Sequence, residues 1–166
     1  LLFSFLSSFA ICFFAKSLYK EKTMNEVLKF CSIHNMSIPQ YVEYYEGPEI
    51  RSYLKKVLDV MGDCINRGIY TDGVLPGGLN VERRASTFYQ KYLHNNHKNE
   101  LTFAYSLAVS EENASGNVIV TAPTCGASGV VPSALDSQKV LFNRTEDELI
   151  NALMVGGLIG NIVRTN

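Results

Sequence analysis

Apolar positions recur at helical spacing in one segment of the chain after another. Met24, Val27, Leu28 and Cys31 fall at i, i+3, i+4 and i+7, which predicts a short amphipathic helix. Thr23 precedes it as a candidate N-cap, with Glu26 three residues on in capping-box register. Pro39 is read as a break, and a second short helix is predicted from Pro39 to Glu46, closed by Gly47 and Pro48. The clearest pattern follows: Ile50, Tyr53, Leu54, Val57, Leu58, Met61, Cys64 and Ile65 share one face. Gly68 is the expected stop of that helix, directly after Arg67. Val81, Ala85, Phe88, Tyr89 and Tyr92 mark a further helix. Leu101 to Val109 marks another, running into Glu111, Glu112 and Asn113. Pro132 suits a first helical turn, with Ala134 to Phe142 following it. Thr145 and Glu148 form a capping box ahead of Leu149 to Val163, a helix apolar nearly all round and so expected to be buried.

A strand signal occurs once. Asn117 to Thr121 is β-branched, but no second run exists to pair with it and a lone strand is not stable. It is read as an extended segment between helices. Together these patterns predict an all-α fold, a compact domain of five to seven helices with no internal repeat. The final apolar helix has no closing signal before Asn166, so the domain is expected to be truncated at its C-terminus. Gly156, Gly157 and Gly160 would allow another helix or a cofactor to approach its backbone.

Composition narrows the function classes. The 166 residues carry a net charge of −1, with 46% hydrophobic and 19% charged residues, the balance of an ordinary globular domain. Nothing in it calls for a nucleic-acid partner or an anionic membrane. Leu1 to Ala15 is strongly apolar, but it is short for a membrane span and has no basic region before it. It is read as lying outside the domain, and a cytoplasmic location is expected. Cys12, Cys31, Cys64 and Cys125 contain no C-x-x-C pair, which argues against a structural zinc site or a dithiol redox motif.

Two segments concentrate glycine, proline and small polar residues: GIYTDGVLPGGLNVERRAS from Gly68 to Ser86, and LAVSEENASGNVIVTAPTCGASGVVPSAL from Leu107 to Leu135. Loops of this kind bring backbone N–H groups and hydroxyls close to a ligand. Thr121, Thr124 and Ser128 supply hydroxyls, Gly126 and Gly129 allow tight approach, and Pro123 stiffens the entry. Such a cradle suits a small carboxylate or an oxyanion; ordinary interhelical turns are the alternative. The lysine of a Walker A loop and the G-x-G-x-x-G of a dinucleotide fold are both absent.

The same two segments, with SEEN followed by VIVTAPT and G-x-x-G, closely resemble the catalytic α domain of the iron-sulfur-dependent L-serine dehydratases. The resemblance covers residues 24–166 as the N-terminal part of that domain and leaves residues 1–23 outside as an extension. It implies a [4Fe-4S] cluster in the full-length protein. It also implies conversion of L-serine to pyruvate and ammonia without pyridoxal phosphate, and a homodimer or an α/β subunit partner. The family's cluster cysteines are expected beyond Asn166, so no metal ligand is assigned in this chain, and the chain alone is expected to be inactive. Thr121, Thr124, Gly126 and Gly129 are carried over as lining the serine pocket. Arg84 is a candidate for the substrate carboxylate. For it and its neighbour Arg83 the competing reading is an ion pair with Glu82 or Glu111. Asn113 is a candidate polar contact, Glu112 a candidate base, and the general base is otherwise unassigned. The readings from other classes are a non-catalytic helical interaction module and a membrane-anchored helical protein.

Overall fold

A computed structural model describes residues 18–121 and 125–165, with backbone alone at residues 125, 164 and 165. Seven helices account for most of these residues, and no β-strand is found among them. The helices are α1 (Met24–His34), α2 (Ile38–Glu46), α3 (Glu49–Ile69), α4 (Ala85–Asn95), α5 (Lys98–Ala114), α6 (Cys125–Phe142) and α7 (Glu146–Thr165). The all-α expectation holds. No helix among the described residues is long and apolar enough to cross a membrane. Leu1 to Ala15 and its membrane-anchor reading lie outside them.

The described residues divide into two compact units, one of residues 57–144 and one of residues 18–56 with 145–165. In the first, α5 packs against both α4 and α6. Its core is Cys64, Ile65 and Ile69 of α3, Ala85 of α4, Leu101, Ala104, Tyr105, Ala108 and Val109 of α5, and Ile119. The small residues of α5 let helices approach closely. A Cβ built on Gly68 would sit 2.6 Å from the Ala108 Cβ and carbonyl oxygen. Gly68 is therefore inside α3 as a packing residue. It is not the stop that the sequence suggests; the helix runs on to Ile69.

The second unit holds α1, α2 and α7, with α2 packed on both of the others. The capping boxes predicted at Thr23/Glu26 and Thr145/Glu148 are both formed. A third, Ser37 with Gln40, starts α2 with Pro39 inside its first turn, so the proline begins one helix rather than merely ending another. Tyr19 is buried and stacks on Tyr41 at 5.7 Å. Its hydroxyl donates to Glu46 at 2.9 Å. Glu21 accepts from Tyr41 at 2.8 Å and from Tyr45 at 3.0 Å. Residues 19–21 are thus strapped to α2, ahead of Met24. The expectation that α7 is buried all round is corrected: Leu149, Ile150, Met154 and Leu158 are buried, while Ile159 and Val163 are exposed. One stripe of α7 meets the unit's core.

Two further expectations change. Val81 is not helical: α4 starts at Ala85, and residues 71–84 fold back on themselves through an isolated Val74–Glu82 bridge. The Leu75 amide donates to Val81 and the Arg83 amide to Gly73, both at 2.8 Å. The turn needs Gly73 and Gly77, at φ of 112° and 125°. The stretch read as a loop to Gly129 is already helix, since α6 starts at Cys125 and carries Pro132 in its interior. Buried Gly129 lies against α5, where a Cβ would come within 3.0 Å of the Ser106 carbonyl oxygen. Close helix packing, rather than loop geometry, explains that glycine.

Candidate functional site

The last turns of α5 carry two adjacent buried carboxylates, and successive residues on a helix point in different directions. Glu111 turns to the start of α4. It accepts from the Arg84 amide at 2.6 Å and from the Ala85 amide at 3.2 Å. Arg84, the N-cap of α4, makes no side-chain cap bond of its own. Glu111 therefore supplies the cap from another helix, placing a negative charge on the positive end of the α4 dipole.

Glu112 turns to two arginines. Its Oε1 accepts from Arg83 at 3.0 Å, and its Oε2 accepts from Arg67 Nε at 3.2 Å and from Asn117 Nδ2 at 3.0 Å. The carboxylate is 1% exposed and the Arg83 side chain 6%. Arg83 also donates to the Ser115 hydroxyl, which donates in turn to the Glu111 carbonyl. Arg67 donates through Nη2 to the Val118 carbonyl at 2.6 Å. One buried carboxylate thereby ties the end of α3, the folded-back loop and the extended segment 117–121 together. Three donors on Glu112 occupy most of its acceptor positions, which argues against its use as a base and for a holding role.

The remaining candidates are spread more widely. Thr121 is half-buried at the end of the extended segment, behind buried Ile119 and Val120. Thr124 lies outside the described residues. Gly126 is exposed in the first turn of α6, with open space where a side chain would be. Asn113 is half-buried on α5. Arg84 is exposed, its guanidinium 5.5 Å from the centre of the Phe88 ring. Arg83 pairs with Glu112, not with Glu82 or Glu111 as the sequence suggested. Sequence reasoning overlooked Arg67, whose partner stands 45 residues away, and nothing in its local pattern sets it apart.

A groove of about 700 Å³ lies elsewhere on this unit, lined by Tyr70, Asp72, Ser86, Lys91 and His94 among others, and none of the sequence-derived candidates among the described residues lines it. Asp136 of α6 is half-buried, and burial pushes its carboxyl up, partly offset by Lys139. Burial also pushes the Cys64 thiol up to about 11. Cys31 and Cys64 are both buried free thiols. Among the described residues no group of three His, Cys, Asp or Glu converges in a way that could hold a metal ion.

Comparison with known proteins gives this network its setting. The model of the family described as serine dehydratase alpha chain matches residues 15–166. The L-serine dehydratase of Haemophilus influenzae is 33% identical over 161 residues, covering 89% of this chain and 35% of that protein. L-serine dehydratase 1 of Escherichia coli is 34% identical over 161 residues, 89% of this chain and 36% of its own length. The L-serine dehydratase of Mycobacterium bovis is 37% identical over 126 residues, 70% of this chain and 27% of its own length. The chain thus spans about a third of the length of these relatives. On the extent of the family match and of these identities, the chain belongs to the serine dehydratase alpha-chain family.

Proposed function

We propose that this chain is the substrate-orienting part of an L-serine ammonia-lyase. The whole protein would remove the Cα proton and the Cβ hydroxyl of L-serine as water. The aminoacrylate left behind would tautomerise and hydrolyse to pyruvate and ammonia. The observation that carries this reading is similarity to proteins named L-serine dehydratase across nearly nine-tenths of the chain.

The network around Glu112 supports a role in orientation. It fixes the guanidinium groups of Arg67 and Arg83 and holds Asn117 and Val118, the start of the extended segment that ends in Thr121, with Asn113 on the same helix as Glu112. In this reading Thr121, Asn113, Gly126 and the undescribed Thr124 contribute hydroxyl, amide and backbone groups to serine. Gly129 serves packing, and Arg84 gives its amide to Glu111 and its guanidinium to the Phe88 ring. The [4Fe-4S] cluster proposed for the whole protein does not fit the described residues. A cluster needs thiolates, and Cys31 and Cys64 are buried thiols with no converging partners. A cytoplasmic, soluble enzyme acting on a small molecule is the corresponding proposal for location and partner.

The test is turnover by the full-length protein, prepared without oxygen and supplied with L-serine. Pyruvate and ammonia are expected in equal amounts, and none from residues 1–166 alone. Absence of pyruvate from the intact, metal-loaded protein would overturn the reading. Pyruvate from the 166-residue chain would instead show that it carries the complete reaction centre.

A further inference from the structure

Three arginines approach the proposed site, and they differ in what their guanidinium groups have left to offer. Arg83 is buried, and both its terminal nitrogens are engaged, Nη1 by Glu112 and Nη2 by Ser115. Arg84 is exposed with its guanidinium by the Phe88 ring, and the polar bond it contributes comes from its backbone. Arg67 is different. Its side chain is 43% exposed. The bonds it makes run from Nε to Glu112 and from Nη2 to the Val118 carbonyl, two nitrogens that can share one edge of the guanidinium plane.

A guanidinium presents two such donor edges. The outer one, between Nη1 and Nη2, carries the parallel pair of N–H groups that matches a carboxylate. Among the described residues no acceptor meets Nη1 of Arg67. The group is also held in advance, by a buried carboxylate on one side and a backbone carbonyl on the other, so little rotamer freedom remains to be lost on binding. The charge count agrees. Glu112 faces two guanidinium groups, and Glu111 is taken up by the amides at the start of α4. Arg67 and Arg83 therefore share one carboxylate, and Arg67 is the more exposed of the two.

We propose that Arg67 is the carboxylate-binding residue of the serine site, clamped along its inner edge by Glu112 and Val118 so that its outer edge pairs with the substrate carboxylate. Glu112 is then a positioning residue that acts through Arg67. This inference rests on the serine-lyase reading above.

Steady-state kinetics on the full-length protein test it, using Arg67→Gln, Arg67→Lys and Arg84→Gln with L-serine. Loss of a bidentate charge-assisted pair is expected to raise KM about tenfold or more in Arg67→Gln, with kcat changed much less. Inhibition by the product carboxylate, pyruvate, should weaken by the same factor. Arg67→Lys keeps a charge but cannot pair along an edge, so its KM should also rise. It serves in place of Arg67→Gln if that variant does not fold by circular dichroism. A KM within twofold of wild type in the folded variant, a fall confined to kcat, or a larger KM rise in Arg84→Gln would each overturn the assignment. If wild type itself makes no pyruvate, the serine-lyase reading fails and this assignment falls with it. If wild type is active and KM is unmoved, the assignment fails alone.

Discussion

The two units differ in how deeply they enclose their carboxylates and in what answers them. In residues 57–144 the carboxylates are enclosed and answered by full charges or by a helix end: Glu112 by Arg83 and Arg67, Glu111 by the amides of Arg84 and Ala85. In residues 18–56 with 145–165 the carboxylates sit nearer the surface: Glu43 and Glu146 pair with half-exposed Arg51 and Lys55, while Glu21 accepts from the neutral phenols of Tyr41 and Tyr45 and Glu46 from that of Tyr19. The first arrangement is costly to disturb, because either partner left alone is a buried charge. The second gives up hydrogen bonds from neutral donors, worth about 1–3 kcal/mol each, and leaves no buried charge behind. A reaction that needs cations held in fixed directions is better served by the first, and the family's glycine-rich segments converge there.

The sharpest way to break this contrast is to remove the central carboxylate. Glu112→Leu leaves Arg83 buried without its partner and should cost about 3–5 kcal/mol, measured by urea unfolding. Glu21→Gln in the other unit keeps an acceptor oxygen for both phenols and loses only the charge assistance, so it should cost no more than about 1 kcal/mol. Equal losses would show that burial of Glu112 does not set its importance. Next in size is Gly68→Ala. The added methyl would meet the Ala108 Cβ and carbonyl oxygen at 2.6 Å, where backbone has to move, so a loss of about 1–3 kcal/mol is expected. Gly156→Ala on α7 meets nothing within 4 Å and should gain up to about 1 kcal/mol from helix propensity, the Gly-to-Ala difference at an exposed site. Thermal unfolding of the pair separates packing from propensity.

What could be read from the sequence follows the range over which each feature is encoded. Thr23/Glu26 and Thr145/Glu148 are local rules, and both caps form. The apolar stripe of α3 is periodic and its buried positions match it, from Ile50 through Ile65. The errors come where distant contacts override local signals. Gly68 and Gly129 look like punctuation, yet each is small because α5 lies against it. Two helix ends that were not marked carry asparagine in the left-handed region, Asn35 and Asn96, a weaker signal than glycine. At the site, the two motif segments were legible as segments. The way they are joined was not, since Arg67, Arg83, Glu112 and Asn117 meet only after four elements have packed.

The smallest expected effect separates the units by the sign of their acid response. Burial pulls the Glu21 carboxyl up, but the hydrogen bonds from Tyr41 and Tyr45 outweigh it and hold it below the usual carboxylate value. A lowered folded value adds stability that is present above the unfolded value and is lost as pH falls through the folded one. Asp136 in the other unit is shifted upward, by burial, so its penalty is present above its folded value and is relieved as pH falls through it. Thermal unfolding of Glu21→Gln and Asp136→Asn from about pH 3 to pH 8, spanning both carboxylate ranges, reads the two signs directly. Asp136→Asn should be more stable than wild type at the upper end, with the gain vanishing toward acid; Glu21→Gln should be less stable at the upper end, with the deficit closing toward acid. On the alkaline side the phenols act in one direction. Burial, followed by the bond to Glu21, pushes Tyr45 up to about 12, and burial also raises Tyr105 of the first unit. The stability these groups lend should be complete below about pH 10, the unfolded phenol value, and fade above it. Alkali therefore weakens both units while acid tells them apart. An Asp136→Asn variant less stable than wild type near neutrality would mean that the aspartate gains more from its neighbours than burial takes away.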